Sequence, residues 1–116
     1  RYGRATVGEA KTAAMQMVDK LKEADGIFCP NESTTFGMLL ALRQAGLAKK
    51  VKFVGFDATD TLIDAMKAGE IDALVVQNPK KMGYESVKTL VSHIKGEKVA
   101  GTVDTGVAVL DKENTT

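Results

Sequence analysis

Asn31, Asp57 and Gln77 each close an apolar run: Ile27-Phe28-Cys29-Pro30-Asn31, Val51-Lys52-Phe53-Val54-Gly55-Phe56-Asp57 and Ile71-Asp72-Ala73-Leu74-Val75-Val76-Gln77. The two carboxamides donate and accept hydrogen bonds, and the carboxylate accepts charge-assisted ones. That set suits a neutral ligand rich in hydroxyls, which do both. A ligand missing one hydroxyl would leave a polar group unpaired at roughly 1–3 kcal/mol, so such a site would discriminate. If the runs are parallel strands of one sheet, the three residues share its carboxyl edge, where open α/β sheets take their ligands. A plainer reading stands beside this one. Asn31 and Asp57 both precede helical patterns and could be N-caps, and Gln77 could be an exposed strand terminus. The coincidence of all three at one edge favours the ligand site.

Other chemistry lacks its residues. The glycines form neither a G-x-G-x-x-G nor a P-loop, no G-x-S-x-G elbow occurs, and a single cysteine and a single histidine cannot build a zinc site. The expectation is a protein that is not an enzyme and needs no cofactor or metal. Cys29 lies in an apolar run and reads as a buried, inert thiol. His93 reads as a solvated residue near a helix end. Glu32 and Asp60 fall near helix starts, where the dipole favours an acid. The methionines sit mostly on apolar helix faces and read as core.

Helical and strand periods alternate along the chain and would place these residues. Ala10, Ala13, Ala14, Met17, Val18 and Leu21 follow one helical face. Phe36, Met38, Leu39, Leu40 and Leu42 carry a second helix that Gly46 closes. Leu62, Ile63 and Met66 carry a short third helix ending near Gly69, and Val87, Leu90, Val91 and Ile94 carry a fourth that stops at Gly96. Strands are expected in the three runs above and at Val107 to Leu110. Continuous apolar strands separated by helices predict an α/β fold: a parallel sheet with helices on both faces, flavodoxin-like or Rossmann-like, joined by right-handed crossovers.

The 116 residues, 44% hydrophobic, are enough for one domain, taken as 1–116. Sixteen basic and 15 acidic residues leave a net charge of +1, so no electrostatic footprint for nucleic acid or an anionic membrane is present. No apolar run is long enough to span a bilayer. Arg1 to Thr6 reads as a loop with no strand before the first helix, which suggests a chain cut from something longer.

Several segments together resemble a known family. Asp25-Gly26-Ile27-Phe28-Cys29-Pro30-Asn31-Glu32, Val54-Gly55-Phe56-Asp57, and Val75-Val76-Gln77-Asn78-Pro79 followed by Met82-Gly83-Tyr84 resemble the carboxyl-terminal lobe of ribose-binding proteins, the type I periplasmic sugar receptors of bacterial ABC importers. The match runs from about Tyr2 to about Asn114. It implies that Asn31, Asp57 and Gln77 contact a monosaccharide, D-ribose first among the choices. It also implies that Tyr2, before the first helix, supplies an aromatic face, with Arg4 a weaker hydroxyl donor. The implied partners are an amino-terminal lobe absent from this chain and an ABC permease. The implied location is periplasmic, or extracellular on a lipoprotein anchor. Residues 79–98 would pack on the absent lobe, so the apolar face of the fourth helix is expected to self-associate without it. Two alternatives remain: the effector-binding core of a lac-repressor-type regulator, and an isolated flavodoxin-like module that binds nothing.

Overall fold

The computed structural model describes residues 1–115. The chain divides into two compact units, one of residues 1–76 with the chain from Val109 onward, the other Gln77–Ala108.

In the first unit the elements follow the order α1 (Val7–Met15), α2 (Val18–Glu23), β1 (Gly26–Phe28), α3 (Glu32–Gln44), β2 (Lys52–Phe56), α4 (Asp60–Lys67) and β3 (Ala73–Gln77), the last residue of β3 opening the second unit. With β4 (Val107–Leu110), the strands form one sheet in the order β1-β2-β3-β4. β1 pairs parallel with β2, Ile27 opposite Phe53, and β2 pairs parallel with β3, Gly55 opposite Leu74. The α/β architecture expected from the alternating periods is therefore present, with β1, β2 and β3 parallel.

The expected first helix is interrupted. Apolar spacing continues from Ala10 through Ala14 to Leu21, all buried, but the backbone leaves helical values at Met17, whose N–H bonds the Ala14 carbonyl at 3.1 Å. Side-chain period alone does not register such a break, because the stripe resumes in phase beyond it.

Strand alternation puts Phe53, Gly55 and Leu74 in the core with Leu39 and Leu42 of α3, Leu62 and Met66 of α4, and Ile71. Each large apolar side chain buried this way stabilises by roughly 1.5–3 kcal/mol. α3 lies close against α1 at Gly37, where a Cβ would come within 2.6 Å of the Ala10 Cβ and 2.7 Å of the Val7 carbonyl oxygen. α3 ends as its sequence predicts: Gly46 takes φ +69°, the Leu47 N–H reaches the Leu42 carbonyl at 2.8 Å, and the Gly46 N–H reaches Arg43 at 3.2 Å. α4 ends in the same way at Gly69, and the helix Pro79–Ile94 does so at Gly96.

The third strand starts later than its apolar run. The Asp72 carboxylate accepts the Phe53 N–H at 2.8 Å and the Lys52 ammonium at 3.0 Å, so a side chain takes the place of a ladder carbonyl. Arg43 grips Glu70 with two bonds of 2.7 and 2.8 Å, tying the end of α3 to the turn before β3.

In the second unit, the Asn78 side chain accepts the Lys81 N–H at 3.0 Å and Pro79 occupies the first turn, opening α5 (Pro79–Ile94). No residue of α5 is buried. Val87, Leu90 and Ile94 are 65%, 57% and 74% exposed. A cavity of about 510 Å³ within this unit is lined by Met82, Leu90, His93, Val99 and Val103 among others.

Two carboxylates make stability depend on acid. Hydrogen bonding to Arg43 holds Glu70 below its ordinary value of 4.5. For Asp72, burial works to raise the value, but the bonds from Phe53 and Lys52 prevail and hold it below 3.8. A carboxylate depressed in the folded state contributes stability that is present above its unfolded value and lost as pH falls through the folded one. The urea midpoint is therefore expected to be flat near neutrality and to fall as pH drops through and below the ordinary carboxylate range. The Glu70→Gln/Asp72→Asn double variant should start lower and fall less steeply over that range; a slope equal to the parent's would refute the assignment.

Candidate functional site

β1 ends at Phe28. The next residues, Cys29 and Pro30, carry the chain off the sheet to Asn31, the N-cap of α3. The Cys29 N–H makes a last ladder bond to the Val54 carbonyl at 3.1 Å, and Pro30 has no N–H to offer. Asn31 is half-buried, and its Oδ1 accepts three bonds: from the Thr34 N–H at 3.0 Å, the Thr34 hydroxyl at 2.9 Å and the Ser33 hydroxyl at 3.0 Å. A backbone N–H can only donate, so the Thr34 amide fixes which way the carboxamide points. With Oδ1 engaged in the cap, Asn31 has its Nδ2 hydrogens to offer a ligand. Capping is therefore part of what Asn31 does, and it narrows the residue to a donor.

Asp57 directly follows β2. Its N–H bonds the Val75 carbonyl of β3 at 2.8 Å, and its backbone is left-handed, with φ +68°. Asp is among the few side chains that tolerate this region. It does not cap α4, whose N-cap is Thr59. Glu32 and Asp60 occupy the first turns of α3 and α4, as the dipole favours. Gln77 is exposed and ends β3.

Tyr2 is 92% exposed. With Arg4 and Asn31 it lines a cavity of about 630 Å³ beside β1, whose other walls include Ala13, Met17 and Ile27. Asp57 is not among those walls. The first unit thus brings Asn31 and Asp57 to the ends of adjacent parallel strands, and gathers Tyr2, Arg4 and Asn31 around one apolar hollow. Cys29 is buried, and burial pushes its thiol up to about 11, so it stays protonated and unreactive. Among the described residues no group of His, Cys, Asp and Glu could hold a metal ion.

Sequence reasoning missed the hydroxyl cluster behind Asn31. Thr35 is fully buried; its hydroxyl donates to the Asn31 carbonyl at 2.8 Å and accepts the Phe56 N–H at 3.0 Å. The signal was available: Thr35, Leu39 and Leu42 stand at i, i+4 and i+7, so a polar residue holds a core position of the helical stripe.

Residues 2–98 match the family described as a periplasmic binding protein domain. The ribose import binding protein of Haemophilus influenzae is 32% identical over 106 residues, covering 88% of this chain and 36% of the relative. The D-allose-binding periplasmic protein of Escherichia coli is 30% identical over 91 residues, 78% of this chain and 29% of the relative. Among solved structures, the periplasmic component of an ABC-type sugar transport system from Hahella chejuensis superposes with a TM-score of 0.88 at 42% identity. A solute-binding protein from Agrobacterium vitis with bound D-fucose does so at 0.86 and 36%. These cover 96% and 98% of this chain but 40% and 39% of theirs. The chain therefore spans well under half the length of the proteins it matches.

The left-handed backbone at Asp57 makes a testable demand. Asp57→Val should cost stability by about 1–2 kcal/mol relative to Asp57→Gly, because a β-branched side chain is strained at positive φ and glycine is not. Denaturant unfolding of the two variants checks this; equal midpoints would show that the strain is absent in solution.

Proposed function

This chain belongs to the periplasmic binding protein domain family, and from that membership we propose that it is the carboxyl-terminal lobe of a solute receptor that delivers a monosaccharide, D-ribose or a close relative, to a bacterial ABC importer. The observation that carries the reading is the pairing of Asn31 and Asp57 at the carboxyl ends of β1 and β2. One is left as a donor by its cap bonds and the other is an acceptor by charge. One sugar hydroxyl can accept from Asn31 Nδ2 and another can donate to Asp57. Gln77 adds a carboxamide from the end of β3, and Tyr2 an aromatic face for the apolar side of the ring. The names of the relatives, which include ribose and allose receptors, support this ligand class. They also support a transport receptor over a regulator's effector core.

In the whole receptor an amino-terminal lobe supplies the other half of the contacts, and closure of the two lobes over the sugar is the state the permease reads. The receptor works in the periplasm or on a lipoprotein anchor outside the membrane. Residues 79–98 pack on that lobe, which covers Val87, Leu90, Val91 and Ile94. This chain by itself holds sugar weakly, because half the contacts are missing.

An amide NMR titration of the chain with tens of millimolar D-ribose, D-allose and D-fucose tests the reading. Shifts are expected at Asn31, Asp57 and Gln77. Asn31→Asp keeps the cap acceptor but loses the donor, so it should stay within about 0.5 kcal/mol of the parent's stability while the sugar-dependent shifts vanish. A parent spectrum that none of these sugars perturbs would overturn the half-site assigned to Asn31, Asp57 and Gln77. The uncovered stripe of α5 has its own expected outcome. Apparent mass by light scattering should rise with concentration and return to that of one chain in Leu90→Lys/Ile94→Lys; a parent that stays monomeric at high concentration argues against it.

A further inference from the structure

Thr35 stands outside every contact discussed for a ligand, yet it joins the two residues that would hold one. In a parallel strand, successive residues turn their backbone groups to opposite neighbours. In β2 the Val54 carbonyl meets β1 through the Cys29 N–H, and the Asp57 N–H meets β3 at the Val75 carbonyl. Phe56 therefore presents its N–H on the β1 side. There β1 has already ended and the chain is climbing toward Asn31, so no ladder carbonyl is in place. The Thr35 hydroxyl supplies the missing acceptor at 3.0 Å and donates its own hydrogen bond to the Asn31 carbonyl at 2.8 Å. One buried oxygen thus spans the gap between the strand end that carries Asp57 and the turn that carries Asn31.

The neighbouring glycine shows how closely this bridge is fitted. A Cβ at Gly55 would lie 2.3 Å from the Thr35 Cγ2 and 3.1 Å from its Oγ1. Gly55 is the residue that lets α3 bring Thr35 down onto β2. The methyl lies against the strand at Gly55, and the hydroxyl meets the Phe56 N–H and the Asn31 carbonyl. Among the described residues no buried side-chain polar atom lacks a partner, and this oxygen serves as donor and acceptor at once.

We propose that Thr35 is a positioning residue of the ligand site: its hydroxyl sets the separation and orientation of Asn31 and Asp57 without touching the ligand. The role rests on the monosaccharide-binding reading above. Removing the hydroxyl frees the Phe56 N–H and the Asn31 turn to move apart, so the Nδ2 donor and the Asp57 carboxylate no longer meet one sugar together. The cap bonds to Asn31 Oδ1 come from Ser33 and Thr34, so α3 still starts at the same place.

The test compares the parent with Thr35→Val, which keeps the shape and loses the hydroxyl, and Thr35→Ser, which keeps the hydroxyl and loses the methyl. Ile71→Val, a buried core change away from the junction, controls for stability alone. D-ribose affinity is read by NMR titration at a temperature where all four are folded. Thr35→Val should weaken binding by about tenfold or more, with the Asn31 side-chain amide and Asp57 backbone signals displaced before sugar is added. Thr35→Ser should recover most of the affinity and Ile71→Val should retain all of it. If the parent binds and Thr35→Val binds equally well, the positioning role is wrong and the sugar-binding reading stands. The role also fails if Ile71→Val loses as much affinity as Thr35→Val, because stability then accounts for the effect. A parent that takes no monosaccharide overturns the reading and the role together.

Discussion

Parallel strands that end at different heights leave backbone groups without ladder partners, and the first unit is organised around satisfying them. β1 has three residues against five in β2. Where β1 stops, the Thr35 hydroxyl takes the Phe56 N–H; where β3 has not yet begun, the Asp72 carboxylate takes the Phe53 N–H. An unpaired buried amide costs about 1–3 kcal/mol, so neither position can be left empty without a large share of a small domain's stability at stake. Side chains complete the sheet at both ends of β2, and in doing so they fix where the neighbouring chain departs.

The same economy shapes the candidate site. The residue that could donate to a ligand is the residue that starts α3, and its carbonyl and its side-chain oxygen are both engaged on the protein side. What remains for a ligand is set by what the fold has already used. At Asp57 the constraint is backbone conformation instead: the chain leaves β2 through a left-handed residue, which places a carboxylate at the strand end in a region where Asp is enriched and β-branched side chains are strained.

The second unit poses a different physical problem. α5 is sixteen residues long, well capped at both ends, and buries none of its side chains. Its local signals are complete, while its apolar face is open, which is the pattern expected of a helix whose packing partner is another surface. The proposed amino-terminal lobe would be such a surface, and family members are far longer than this chain.

Short-range physics was readable from the residues alone. Apolar period placed the helices and strands apart from the break at Met17 and the start of β3, glycine placed the helix ends at Gly46, Gly69 and Gly96, and the α/β class followed from their alternation. The types of Asn31, Asp57 and Gln77 suggested the hydroxyl recognition that is proposed for them. Tertiary structure decided how each polar group is spent. That Asn31 is a donor, that Asp57 is not a cap, that β3 starts at Ala73, and that a threonine at a core position bridges two strand ends all depend on hydrogen bonds whose partners local pattern does not reveal. The Thr35–Phe56 bond spans 21 residues and the Asp72–Phe53 bond 19. Periodicity records which face a residue takes; which atom it meets there is settled only when distant segments share a core.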